Sequence, residues 1–219
     1  MSRKVILNIL LLALCCVTLN ACVSTPTLSR DEWLRMTNRT YEGVTKEQAL
    51  AATERLFRLA DGNDFMVSHS DDGLVAVRTW AVYLILAASV GTDSWAVRAV
   101  ENGSGGTRMS VSLGTQAGAV TGVVTGQVGG QYTAAPLTMP TMGSAVNGTA
   151  IYDVFWARMD YLLGQYPAWM DCGEANRRVT IGIVWGDNSA LCNSFNLKDD
   201  VPEGAAIMTI PVPVQRGKR

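Results

Sequence analysis

Apolar side chains return at helical spacing between residues 45 and 61, at Ala49, Ala52, Leu56, Leu59 and Ala60. Thr45-Lys46-Glu47-Gln48 stands ahead of them as a capping box, and Gly62 fits a stop. The pattern predicts a helix over 45–61 with one apolar face, leaving Lys46, Glu47, Glu54, Arg55 and Arg58 to water. A second helix is predicted over 149–164, with Tyr152, Phe155, Met159, Leu162 and Leu163 on one face. Asp153 and Asp160 fall elsewhere on it, and Gly164 and Pro167 end it. Ser29-Arg30-Asp31-Glu32 opens a shorter helix with Trp33, Leu34 and Met36.

Between the two long helices the period falls to two. Met109, Val111 and Leu113 alternate with Arg108, Ser110 and Ser112, the mark of a strand with one wet face. Asp64–Ser70 reads as a strand, Asp71-Asp72-Gly73 as a tight turn and Leu74–Ser89 as a long strand. Thr92-Asp93 reads as the next turn, Ser94–Glu101 as a strand, and 102–106 as a Gly-rich loop. Trp80–Ala88 is apolar on both faces, so the second side of that strand also needs a cover.

Residues 114–148 contain no charged residue and are rich in Gly, Thr, Ala and Val. Gly114, Gly118, Gly122, Gly126 and Gly130 recur every fourth position. On a helix they would form a small-residue stripe, the surface used for close packing in membranes. Over this stretch the chain resembles glycine-zipper envelope proteins, which marks the five glycines as a candidate interaction stripe. Poor helix propensity and the presence of Gln116 and Gln127 favour a long loop or an irregular hairpin instead. A loop of that length points to binding or assembly.

Beyond Pro167 the expectation is a short helix through Trp169, Met170 and Cys172, a brief strand over Thr180–Trp185, and a helical turn over Asp187–Asn193. Lys198–Arg219, with Pro202, Pro211 and Pro213, reads as a mobile tail.

The first residues are of another kind. Arg3 and Lys4 precede an almost unbroken apolar run from Val5 to Val17, followed by Thr18-Leu19-Asn20-Ala21. This is the layout of a secretory signal, and the run is too short for the ~20 residues that span a bilayer. Leu19-Asn20-Ala21-Cys22 resembles the lipobox of bacterial lipoproteins. The resemblance implies cleavage before Cys22, a diacylglycerol on its thiol and an acylated new amine; together such chains hold a membrane stably. Val23 at the following position implies, by analogy with enteric bacteria, the periplasmic face of the outer membrane, with the inner membrane as the alternative.

That reading changes the cysteine arithmetic. Of five cysteines, Cys15 and Cys16 leave with the signal and Cys22 is acylated, so Cys172 and Cys192 remain in an oxidising compartment. A bond between them adds ~3 kcal/mol by loop entropy; two unrelated buried thiols are the alternative. Losing Arg3 and Lys4 leaves 16 of the 18 basic groups against 19 acidic ones. With 48% hydrophobic residues and no basic stripe, the chain is neither disordered as a whole nor suited to nucleic acid.

Motifs for phosphate cradles, nucleophile elbows and zinc proteases are missing from the sequence. His69 is the sole histidine, within Ser68-His69-Ser70-Asp71-Asp72, and has no neighbouring set of metal ligands. No metal and no cofactor is expected. The predicted fold class is α+β, a two-layer domain with helices on one face of an antiparallel four-stranded meander and a small disulfide-closed C-terminal annex. The predicted divisions are a signal at 1–21, a lipidated tether and short helix at 22–42, the α+β domain at 43–166, the annex at 167–197 and the tail at 198–219. The predicted role is a non-enzymatic assembly or interaction module bound to the membrane through Cys22, with a protein partner in the envelope. Two rivals are a binder of an apolar ligand between strand 74–89 and helix 149–164, and a hydrolase using His69.

Overall fold

The computed structural model describes residues 27–60, 64–84, 87–128, 131–138, 142–146 and 148–192. The signal, Cys22, Gly62, Gly130 and the tail lie outside them. Among the described residues, four helices run over Arg30–Thr37 (α1), Lys46–Leu59 (α2), Thr149–Leu162 (α3) and Cys172–Thr180 (α4). The strands are Asn38–Glu42 (β1), Met66–Ser70 (β2), Gly73–Leu84 (β3), Ala87–Asn102 (β4), Gly106–Val128 (β5), Gln131–Thr138 (β6) and Met142–Ala145 (β7). The fold is α+β, and the residues from Asp31 onward form one unit.

All strand pairs are antiparallel, and the sheet runs β1-β5-β4-β3-β2, with β6 and β7 also paired to β5. The expected four-stranded meander is therefore corrected to a five-strand path. The added strand is β1, whose sequence, Asn-Arg-Thr-Tyr-Glu, buries only Tyr41 and gives no alternation to read. It is fixed by pairing Asn38–Glu42 with Ser110–Gly106.

The turn expected at Thr92-Asp93 is also corrected. β4 runs straight through it, with Thr92 opposite Thr79 and Gln116, and Asp93 opposite Arg78 and Thr115. β3 ends at Leu84 and β4 begins at Ala87, so the predicted strand 74–89 is divided between them. Among the described residues of 114–148 neither the loop nor the glycine-zipper helix is present: Gly114, Gly118, Gly122 and Gly126 lie on β5, and β6 and β7 pair back along it as an irregular hairpin does. Gly is a weak strand former, but the Thr and Val between the glycines favour strand and β4 supplies a hydrogen-bonding edge as far as Val120.

One face of the sheet is buried. Leu74, Ala76, Trp95, Val97, Ala99, Met109, Val111 and Leu113 are all closed to water, while Val75, Ala96, Arg98, Val100, Arg108 and Ser112 on the other face are exposed. The register explains this, since Ala76, Trp95 and Leu113 stand in one row and Leu74, Val97 and Val111 in the next. Helix α2 begins at the predicted box, with Thr45 and Gln48 capping each other, and buries Ala49, Ala52, Leu56 and Phe57. It ends at Ala60, which has extended backbone.

Helix α3 buries Tyr152, Phe155, Met159 and Leu162 as expected, and stops at Gly164 with φ 69°. Trp95 stacks on Phe155 with centroids 5.3 Å apart and meets Phe57 at 5.6 Å and Tyr152 at 6.4 Å. Each such pair adds ~0.5–1.5 kcal/mol beyond burial. These rings occupy the space between sheet and helices.

Two expectations for the C-terminal part are corrected. Trp169 and Met170 are not helical; α4 begins only at Cys172, where the Asp171 carboxylate accepts from the Glu174 amide. No strand forms over 180–185, because turns follow α4 through Gly182 and Gly186, both at positive φ. The Cys172–Cys192 disulfide is present. Sequence spacing gave no sign that Arg158, in the middle of α3, is fully buried beneath it. Its Nε donates to the Met170 carbonyl at 3.0 Å, its Nη2 lies 3.3 Å from Cys172 Sγ, and its guanidinium stacks 4.6 Å from the Trp169 ring.

Trp95 is closed to water, yet its indole N–H has no acceptor. Packing therefore outweighs a desolvation cost of ~1–3 kcal/mol. Trp95→Ala is expected to lower stability by about 3–5 kcal/mol and Trp95→Phe by much less, measured by urea unfolding. Equal losses for the two variants would show that the ring stack is not what holds the layers together.

Candidate functional site

The buried face changes character at one row of the sheet. Arg78, Asp93 and Thr115 stand side by side on β3, β4 and β5. Arg78 Nη2 donates to Asp93 Oδ2 at 3.1 Å and to the Ser189 carbonyl at 2.8 Å; the two side chains are 6% and 7% exposed. Asp93 Oδ1 accepts from Thr115 Oγ1 at 2.9 Å and Trp80 Nε1 at 3.2 Å. Arg78 also lies over the Phe65 ring, 5.1 Å from its centroid. The carboxylate is thus held from three sides, the arrangement a buried ion needs to offset its lost hydration.

Beyond this row the charged residues stop. Residues 79–92 and 114–148 contain no Asp, Glu, Lys, Arg or His. Most of their described residues form the far ends of β3, β4 and β5 together with β6 and β7. Trp80 is the first side chain past the charged row, and its ring covers Gly91. A Cβ built at Gly91 would come within 2.2 Å of the Trp80 ring, so this position accepts glycine alone.

A cleft of ≈ 440 Å³ opens on the other side of α3, lined by Arg39, Asp153, Asp160, Trp169, Glu174 and Arg178 among others. Its charges are satisfied from within. Arg39 Nη1 meets Asp160 Oδ2 at 2.6 Å, and the Tyr41 hydroxyl donates to Asp160 Oδ1 at 2.9 Å. Burial, then the neighbouring Asp160 charge, pushes the Tyr41 phenol far above its usual range, so it remains a neutral donor. Arg178 Nε lies 3.1 Å from Asp153 Oδ2 but is not aligned for a hydrogen bond. Burial correspondingly raises the Asp153 carboxyl, against the opposing pull of Arg178 and Arg39. Paired in this way, the groups brace α3 against β1 and α4.

The sequence-predicted residues are dispersed. Cys172 and Cys192 meet in the disulfide, Gly114 to Gly126 lie on β5, and Cys22 and Gly130 are outside the described residues. His69 is on β2, half-exposed, with Nε2 3.1 Å from Glu54 Oε2. The same carboxylate accepts from Arg58 Nε at 2.9 Å. Ser70, beside His69, gives its hydroxyl to the Gly73 carbonyl. Among the described residues, no three His, Cys, Asp or Glu side chains gather at metal-binding distance, and no helix is long and apolar enough to cross a membrane. The residues that sequence reasoning missed are Arg78 and Asp93; their signal was a lone charge of each sign inside two apolar runs.

Arg58, and to a smaller degree His69, hold Glu54 below its ordinary value of 4.5. A lowered carboxyl stabilises the fold above its unfolded pKa and loses that contribution as pH falls through the folded one. Glu54→Gln is therefore expected to lower the urea midpoint at neutral pH, with the difference from the parent closing progressively below pH 4.5. A difference that stays constant into strong acid would contradict the assignment.

Set beside known proteins, the chain matches no family model, no curated protein and no solved structure.

Proposed function

We propose that the protein is a lipid-anchored component of the bacterial envelope, acylated at Cys22 and held at the periplasmic face of the outer membrane. There it acts as a non-enzymatic assembly or interaction module. The observation that carries this reading is the Cys172–Cys192 disulfide. Stable cystines belong to oxidising compartments, and the export signal ahead of Cys22 leads to one. The arginine beneath the disulfide ties it into the core, so the bond is part of the fold rather than an accident of exposure.

Two features favour an interaction role over a carrier or a hydrolase. The aromatic rings of Phe57, Trp95, Tyr152 and Phe155 occupy the space between sheet and helices that an apolar ligand would need. His69 is engaged by Glu54. The contact surfaces are the open face of the sheet and the uncharged segment 114–148. On the open face a shallow groove of ≈ 500 Å³ passes Val77, Thr92, Ser94, Ser112 and Gly114.

Metabolic labelling with a radioactive fatty acid tests the anchor. The parent chain is expected to take up label and to sediment with outer membranes, and Cys22→Ala is expected to do neither. Label retained by Cys22→Ala, or a parent protein recovered from the soluble fraction at its full precursor length, would overturn the reading.

A further inference from the structure

The buried guanidinium of Arg158 is aimed at sulfur. Its Nη2 lies 3.3 Å from Cys172 Sγ and 3.6 Å from Cys192 Sγ. Its Nε and Nη1 donate to the Met170 and Leu191 carbonyls at 3.0 and 3.4 Å, and the Trp169 ring covers its face. An arginine keeps its proton throughout the range in which proteins work, so a full positive charge stands beside the bond. The sulfurs of a disulfide are neutral and accept hydrogen bonds weakly. A thiolate suits the same position better, because it carries the opposite charge and accepts strongly from a charged N–H.

The fold prefers one of the two sulfurs for that charge. Cys172 is the nearer to Arg158 and is the first residue of α4, where the helix dipole favours an anion. Cys192 sits on a turn, closed by the Leu191 and Cys192 amides on the Asn188 carbonyl at 3.0 and 2.8 Å. Two carboxylates near the start of α4 oppose a thiolate at Cys172. Asp171 takes the Glu174 amide at 2.6 Å, and Glu174 is held by Arg177. Further along α4, Arg178 faces Asp153 of α3 at 3.1 Å. Asp171 is exposed and Glu174 partly so, and water screens both, whereas Arg158 is fully buried and acts at contact distance. The arginine therefore outweighs them.

We propose that Cys172–Cys192 is a thiol–disulfide exchange site: a dithiol partner reduces it, and Arg158 with the start of α4 keeps Cys172 as a thiolate in the reduced domain. A thiolate of the partner attacks Cys192 Sγ, the bond between the two cysteines breaks, and its electron pair leaves on Cys172, the better leaving group. The partner's second sulfur then displaces Cys192 from the mixed disulfide. Two electrons pass to the protein and the partner ends as a disulfide. Of the two protons the partner held, one goes to Cys192 and one to water. Cys192 is 3% exposed, so the attack follows local opening of its turn. In an oxidising compartment the bond is the resting form. The inference goes beyond the anchored module proposed above and does not depend on the acyl group.

Equilibration with dithiothreitol tests this. The full chain is brought to equilibrium with fixed ratios of reduced and oxidised dithiothreitol, and the state of Cys172 and Cys192 is read by mass after trapping. Between about pH 5.5 and 7.5 an ordinary thiol, with a pKa of about 8.5, keeps its proton. With Cys172 ionised, each exchange releases one proton, so the apparent equilibrium constant is expected to rise about tenfold per pH unit over that range. A constant that does not change with pH means that both cysteines take up protons, and it overturns the proposal. Arg158→Met is expected to flatten the rise and Arg158→Lys to keep part of it, with circular dichroism reporting the fold of each. A rise in folded Arg158→Met equal to that of the parent overturns the role of the arginine. Where Arg158→Met does not fold, thiolate absorbance at about pH 6 decides, well below the ordinary thiol range. Present in Cys192→Ser and absent in Cys172→Ser, it supports the proposal; any other result overturns it. Mass analysis of Cys22 in the same sample reports separately on the anchor.

Discussion

Arg78 and Asp93 face each other across β3 and β4, almost closed to water, and the rest of the molecule is arranged around the need to keep them so. Two ions removed from solvent each forfeit several kcal/mol of hydration, recovered only when geometry and extra hydrogen bonds are good. Here the extra bonds come from three other parts of the chain: Trp80 further along β3, Thr115 on β5 and the Ser189 carbonyl near the disulfide. One row therefore fixes the register of three strands and clips the C-terminal region to the sheet. A slip by one residue in any of the three strands would turn its member of the row to the opposite face and strand the others.

On the near side of that row the structure is an ordinary helix-on-sheet core, with Trp95 at its centre. The far side is sheet without helices. Arg158 plays a similar role for the outer layer, since it reaches from α3 to the Met170 carbonyl and the cystine and so holds residues that have little apolar surface of their own. The two buried arginines mark the places where this domain needed order that hydrophobic packing could not supply.

The legible parts of the fold were those written in local patterns. The Thr45–Gln48 box, the apolar face of 149–164 and the alternation at 108–113 each depend on neighbours within a few residues, and each stands in the structure. The cystine followed from counting the cysteines that remain when residues 1–22 are set aside. What could not be read was whatever a distant partner imposes. β1 has no apolar pattern and exists because residues 106–110 offer it an edge. Thr92-Asp93 has the composition of a turn, but Asp93 is held in a strand by an arginine on the preceding one. The glycines of β5 suit a loop or a tight helix in isolation and become strand beside β4 and β6. For the same reason the candidate site was missed: a charged row is visible only when three strands are laid side by side.

Strand β5 holds β4 along one edge and receives β1, β7 and β6 in succession along the other. A chain emerging from its N-terminus presents β1 well before residues 106–110 exist to receive it, and it completes the opposite edge only after residue 145. Such non-local pairing makes for slow assembly, with sticky uncharged strands waiting for their mates. A polypeptide built this way keeps part of an uncharged strand edge unpaired until β6 and β7 have been added along β5.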